Sequence, residues 1–248
     1  MKLFPVGTSR LHEPLSIVDN PSVEVCFPKM GYFHSSSQVI SLMGLLKGNI
    51  LDLNTSRLFF RKDSINVNIF DENLWSNLFL NSVSRLVDEY EKSDVLLVEI
   101  SSARSYFLNS FYIQGNPNFF RNLPYSDVWK NGYYEVYHPE LDVEIFDDYD
   151  LIFDNLFKLN KILECDSKYA IIMGHLVDPR KPNSIRQKCN LYLQLAVDKI
   201  NSPRLRFYDQ SSLVEKYGFR VLDGGVIDIH HLPWDALPIQ MNEIISML

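Results

Sequence analysis

Leu3-Phe4-Pro5-Val6-Gly7-Thr8-Ser9 decides how the rest of the chain is read. A short apolar run stops abruptly at three small residues, the pattern of a buried strand ending in a tight turn. The same pattern recurs at Val23–Phe27, Val95–Ile100, Tyr169–Met173 and Leu205–Tyr208. Longer stretches with apolar residues at helical spacing separate most of these runs: Ser36–Leu46, Glu72–Lys92, Asp150–Glu164, Asn183–Ile200 and Gln240–Leu248. Strands alternating with helices imply a mostly parallel sheet covered on both faces. The expected fold class is therefore α/β. It is a three-layer α/β/α domain with a mostly parallel five-stranded sheet, a single domain over residues 1–248.

Two segments break the rhythm. Residues Asn54–Phe70 alternate weakly through Ile65, Val67 and Ile69, which suits a small hairpin or edge element. Residues Arg104–Glu140 have no clean period and are dense in aromatics, among them Tyr106, Phe107, Phe111, Tyr112, Phe119, Phe120 and Trp129. A connection this long is uncommon inside a domain, so an aromatic-rich insertion or lid is expected at about 104–146. The alternative is an excursion that simply extends the core.

Composition excludes several classes. With 46% hydrophobic and 22% charged residues the 248-residue chain can form a large core, which rules out wholesale disorder. A net charge of -7 with no dense basic stripe argues against a nucleic-acid partner. No apolar run approaches the roughly 20 residues needed to span a bilayer, so no transmembrane segment is expected. The opening residues Met1–Arg10 are too short in apolar character for a secretion signal, which leads to a cytoplasmic expectation. Cys26, Cys165 and Cys189 are odd in number and widely spaced, which suits a reducing compartment and gives no metal cluster. No GxGxxG, P-loop or HExxH pattern occurs, so dinucleotide, nucleotide-triphosphate and zinc-protease readings lack support.

Ser9 stands at a strand's carboxyl end, where functional groups collect in open α/β sheets. A serine hydroxyl is a poor nucleophile unless a base takes its proton and a third group orients that base. The other end of the chain holds such groups, in Asp223-Gly224-Gly225-Val226-Ile227-Asp228-Ile229-His230-His231-Leu232. An Asp three residues before a His can lie beside it in a turn, hold Nδ1–H and leave Nε2 free as a base. Either Asp228 or Asp223 can fill that place, and the competing reading is a surface loop with two solvated imidazoles. His12 is close to Ser9 in sequence, but Pro14 argues for a loop there. His175 follows Tyr169–Met173 at a strand's carboxyl end and is placed to touch substrate. Arg180, Lys181, Arg186 and Lys188 form the densest basic run, placed to hold a phosphate at a helix start or merely to solvate a helix face. Asp147, Asp148 and Asp150 suit the positive end of a helix better than a metal.

A first-strand serine and an Asp-x-x-His ahead of the last helix together resemble the SGNH (GDSL-like) hydrolase superfamily, whose motifs read here as Gly7-Thr8-Ser9 and Asp228-Ile229-His230-His231. The likeness is nearest to its GSCFA-type and polysaccharide-biosynthesis branches. It implies a flavodoxin-like SGNH fold and a triad of Ser9, His231 and Asp228. It implies an oxyanion hole from the Ser9 and Gly31 backbone N–H groups. The family's Gly-x-Asn-Asp block is missing: Val95–Ile100 runs into Ser101-Ser102-Ala103-Arg104. Ser101 is the expected replacement donor, with Ser102 or Arg104 as alternatives. Arg104, Tyr106 and His175 are expected to contact substrate. Arg180, Lys181 and Arg186 are expected to contact the phosphates of a donor such as acetyl-CoA; no other cofactor is required. The implied activity is acyl-ester chemistry on a carbohydrate or polysaccharide precursor, as an O-acetyltransferase or O-acetylesterase. The alternative is a catalytically silent domain that binds a glycan or a protein.

Overall fold

In the computed structural model, strand β1 (Lys2–Val6) lies between β2 (Glu24–Val25) and β3 (Val95–Glu99). The structure describes residues 1–26, 33–51, 56, 72–108, 111–113, 144–180 and 184–248. The main sheet continues from β3 to β7 (Tyr169–Met173) and β8 (Leu205–Tyr208), giving the order β2-β1-β3-β7-β8. All four pairings are parallel, with Leu3 opposite both Val25 and Val95, and Val98 opposite Val6 and Ile172. This is the doubly wound order of flavodoxin-like sheets, in which the winding reverses between β1 and β3. A crevice opens at such a reversal, beyond the strands' carboxyl ends.

The alternation of side chains along each strand divides the core into two layers. Phe4, Val6, Leu96, Val98, Ala170 and Ile172 face one side. They pack on α2 (Ser36–Leu46), α3 (Glu72–Lys92), α4 (Tyr149–Asp166) and α5 (Ile185–Ile200). Leu3, Val95, Leu97, Ile171 and Met173 face the other side. They pack on α1 (Ser9–Ser16), α6 (Ser211–Tyr217) and α7 (Leu237–Ser246). The result is the three-layer α/β/α arrangement read from the sequence. It explains why the strands are apolar on both faces rather than alternating.

Local chemistry sets most helix ends. Ser35 and Ser184 each cap a helix through a reciprocal box with Gln38 and Gln187. Asp148 caps α4 by accepting the Leu151 N–H at 3.0 Å. Asp147 instead turns inward, accepting the hydroxyls of Ser36 at 2.6 Å and Ser37 at 2.9 Å. Its carboxyl is pushed up by burial, against those hydrogen bonds. Helix α7 starts at Leu237, before the expected Gln240, because Pro238 sits in its first turn, where no N–H is needed.

Two helices depart from the sequence reading. Residues Ser9–Ser16 form α1 straight through Pro14, where a loop is expected. The apolar face of Leu11, Pro14 and Leu15, buried against the second core layer, offsets the hydrogen bond that proline cannot make. Helix α6 is too short to show a periodicity. The strand expected at Val23–Phe27 covers only Glu24–Val25, and Phe27 lies outside the described residues. Apart from Ser56, the segment Asn54–Phe70 also lies outside them. Of the expected insertion, β4 (Arg104–Leu108), β5 (Phe111–Ile113) and β6 (Glu144–Phe146) form a small antiparallel sheet in the order β5-β4-β6. Residues 114–143 are outside the described set. A two-stranded hairpin, β9 (Arg220–Val221) and β10 (Ile227–Asp228), precedes α7.

The two-layer core predicts a contrast between two leucines. Leu159 in α4 is fully buried, whereas Leu195 in α5 is 45% exposed. Leu159→Ala should cost about 2–5 kcal/mol by leaving a cavity. Leu195→Ala should cost less than about 1 kcal/mol. Urea denaturation of the two variants beside the wild type checks this.

Candidate active site

Gly7 follows β1 because no side chain fits there: a Cβ would come within 2.7 Å of the Glu99 Cβ. Glu99 closes β3 and is 1% exposed. It accepts the Thr8 N–H at 2.8 Å and the Thr8 hydroxyl at 2.7 Å. Its other oxygen pairs with the Arg10 Nε at 2.7 Å. Thr8 in turn caps α1 by accepting the Arg10 N–H. The residues on either side of Ser9 are thus tied to one buried carboxylate, and Ser9 becomes the first residue of the helix. The Leu11 and His12 N–H groups of that first turn both donate to the Thr8 carbonyl at 3.0 Å, and the N–H of Ser9 stands ahead of them at the helix start.

The β9–β10 hairpin delivers the second half of the site. Asp228 accepts the His230 N–H at 2.9 Å through one oxygen. Its other oxygen lies 2.6 Å from the His231 Nδ1. A carboxylate accepts only, so the proton of the ring sits on Nδ1 and Nε2 presents its lone pair. The Ser9 Oγ lies 3.0 Å from that Nε2 and donates to it. Although burial pushes the Asp228 carboxyl up, the His230 N–H and the His231 ring hold it below its ordinary range. Asp223, the alternative partner, is exposed in the turn of the hairpin.

The remaining expected residues are placed as follows. His175 follows β7 and is 8% exposed. Its backbone is clamped by Asn190 of α5, which accepts the His175 N–H at 2.7 Å and donates to its carbonyl at 2.8 Å. Burial, then the charges of Arg10 and Arg186, push the His175 imidazole down to about 3. Ser101 follows β3, with its N–H donated to the His34 carbonyl at 2.8 Å and its Oγ 3.3 Å from the His34 Nδ1. Arg186 of α5 donates to the Ile229 carbonyl at 2.9 Å and reaches the His230 Nδ1 at 3.3 Å. Arg180 is exposed and paired with Asp178 at 2.8 Å, so it and Arg186 turn to different partners. Arg104 and Tyr106 lie in β4, and their side chains are outside the described set. Gly31 and Lys181 are outside the described residues altogether.

Three side chains at the site have no counterpart in the sequence reading. Glu99 is one, although an acid inside the apolar run Val95–Ile100 is a signal in itself. Glu13 is another: on α1 it stands one turn beyond Ser9, with Oε1 3.9 Å from the His231 Nε2. A chain that continues helical through Pro14 is needed to see it. Arg220 is the third, pairing with the Glu13 Oε2 at 2.7 Å, donating to the Leu232 carbonyl at 3.1 Å and stacking over Trp234. Among the described residues, no group of His, Cys, Asp or Glu has the arrangement of a metal site. Among them, too, no helix is long and apolar enough to cross a membrane.

The depressed His175 generates a prediction in acid. Unfolded, this imidazole titrates near its ordinary 6.5; folded, it titrates at about 3. Between those values the unfolded chain binds a proton that the folded protein refuses, so stability falls as pH drops through the window. His175→Gln should flatten the dependence of unfolding free energy on pH between 6.5 and 3 by up to about one proton. Denaturant titrations at a series of pH values, wild type against variant, measure that slope.

A family model for the TviD N-terminal domain matches residues 1–125. The match takes in β1, Ser9 and Glu99 but stops before the hairpin that carries Asp228 and His231. No curated protein and no solved structure matches the chain.

Proposed function

The chain belongs to the TviD N-terminal domain family, related to polysaccharide O-acetylation, and from that premise we propose a serine acyl-transfer site acting on a carbohydrate. The observation that carries the reading is the hydrogen-bonded line from the Ser9 Oγ through the His231 ring to Asp228, at 3.0 and 2.6 Å. That line supports reading the three as nucleophile, base and the base's orienter, the roles that SGNH-type enzymes use.

In this scheme the Ser9 Oγ attacks the acyl carbon of an ester or thioester donor such as acetyl-CoA, while the His231 Nε2 takes the hydroxyl proton. The tetrahedral intermediate collapses, the donor's bond to the acyl group breaks, and the leaving group receives the proton from His231. An acceptor hydroxyl then attacks the acyl-Ser9 ester by the same steps in reverse. Asp228 keeps the imidazole in the productive tautomer and stabilises it when it is protonated. The Ser9 N–H at the start of α1 is the first oxyanion donor, favoured by the positive end of the helix. Gly31 is proposed as the second. Ser101 is proposed as a side-chain donor whose hydroxyl turns from His34 when substrate binds. The family's relation to polysaccharide O-acetyltransferases supports a carbohydrate acceptor and transfer over hydrolysis.

One observation favours a second reading, a domain that binds a glycan without turning it over. The Asn of the SGNH oxyanion block has no equivalent after β3, and the Ser101 N–H is already committed to His34. The two readings diverge on Ser9. The acyl-transfer reading expects Ser9 to be labelled by a fluorophosphonate and to release p-nitrophenol from p-nitrophenyl acetate. Ser9→Ala should abolish both, and Asp228→Asn should lower turnover roughly 10³- to 10⁴-fold. Folded wild-type protein that shows neither labelling nor release would leave the binding reading in its place.

A further inference from the structure

Resting on the Ser9–His231 reading, the geometry points to Glu13 as the residue that selects the acceptor, by accepting a hydrogen bond from a second hydroxyl next to the one that His231 deprotonates. The acceptor class this describes is a sugar with vicinal hydroxyls. The argument begins with how Glu13 is held. Its Oε2 is engaged by the Arg220 Nη2 at 2.7 Å. Arg220 is itself fixed, 8% exposed, by its bond to the Leu232 carbonyl and its stacking on Trp234. The carboxylate is therefore oriented, and its other oxygen, Oε1, faces the His231 Nε2 at 3.9 Å. That separation is too long for a direct hydrogen bond. It leaves room for an oxygen within bonding distance of both groups or for two adjacent oxygens, one on each.

In the transfer step the acceptor hydroxyl gives its only proton to the His231 Nε2 while its oxygen forms a bond to the acyl carbon. The Ser9 Oγ–acyl bond then breaks, and the Oγ recovers the proton from Nε2. The hydroxyl being acylated has no second proton for Glu13. A neighbouring hydroxyl on the same ring has one. Side-chain exposures of 30% for Glu13 and 18% for His231 leave both partly open to solvent. A water molecule is the other source of a second O–H, so the experiment must separate the two.

The readout is the ratio of kcat/KM for acetyl transfer from p-nitrophenyl acetate to a methyl pyranoside with vicinal hydroxyls against the same pyranoside deoxygenated at the neighbouring position. Wild type should prefer the diol. Glu13→Gln should lower that ratio about ten- to a hundredfold, the loss of a hydrogen bond to a charged acceptor. A nitrophenol burst from Ser9 acylation reports that the variant is folded. Should Glu13→Gln fail to fold, Glu13→Asp, which withdraws the carboxylate by one methylene but keeps its charge, should lower the ratio in the same direction. An unchanged ratio would overturn the proposal, as would a selective fall in hydrolysis, which would assign Glu13 to water. Absence of a burst in the wild type would instead remove the acyl-transfer reading beneath it.

Discussion

A carboxylate buried at the end of the central strand holds the site in place. Glu99 is almost wholly removed from solvent, where an uncompensated charge costs several kcal/mol. Compensation comes from the turn that carries Ser9, through the Thr8 N–H, the Thr8 hydroxyl and the Arg10 guanidinium. The strand pairing fixes Glu99 next to that turn, since β1 and β3 are neighbours at the reversal of the sheet. Fold and site are therefore coupled. The sheet presents Glu99 to the turn after β1, and the observed shape of that turn supplies two hydrogen bonds and an ion pair to the acid. Gly7 completes the constraint, because any side chain there would collide with the acid.

The second half of the site depends on a different part of the fold. Helix α1 packs on α7 in the second core layer through Leu11, Leu15, Leu237 and Met241. The hairpin before α7 is thereby carried to the carboxyl end of β1. The Arg220 N–H donates to the His231 carbonyl at 2.9 Å, tying the histidine back to β9. Ser9 and His231, 222 positions apart, meet because each is positioned by an element next to that helix pair. The TviD N-terminal domain match covers the serine half alone, so the histidine half rests on geometry rather than on likeness.

The sequence made the sheet legible because parallel strands buried on both faces leave apolar runs that helical stretches interrupt. Tyr169–Met173 and Leu205–Tyr208 keep their bounds, as do Ser36–Leu46 and Glu72–Lys92. The pairing of Ser9 with Asp228 and His231 is legible only through the SGNH resemblance, and the structure sets the Ser9 Oγ 3.0 Å from the His231 Nε2. What escaped was set by tertiary context. Pro14 reads as a helix breaker, yet buried contacts keep α1 intact and so bring Glu13 one turn above Ser9. Arg220 and Trp234 are unremarkable in sequence, and only the hairpin stacks one on the other.

Electrostatics explains how a chain of charge -7 keeps several cations at one site without losing control of its histidine. Each guanidinium has a local acceptor: Arg10 has Glu99, Arg220 has Glu13, and Arg186 has the Ile229 carbonyl. The cations that press on His175 and His230, both lowered first by burial and then by nearby arginines, are thus fixed rather than mobile. His231 differs from them in having a carboxylate on Nδ1 and a hydroxyl on Nε2. The placement of the surrounding charges thus distinguishes the three rings as much as the hydrogen bonds that each one makes.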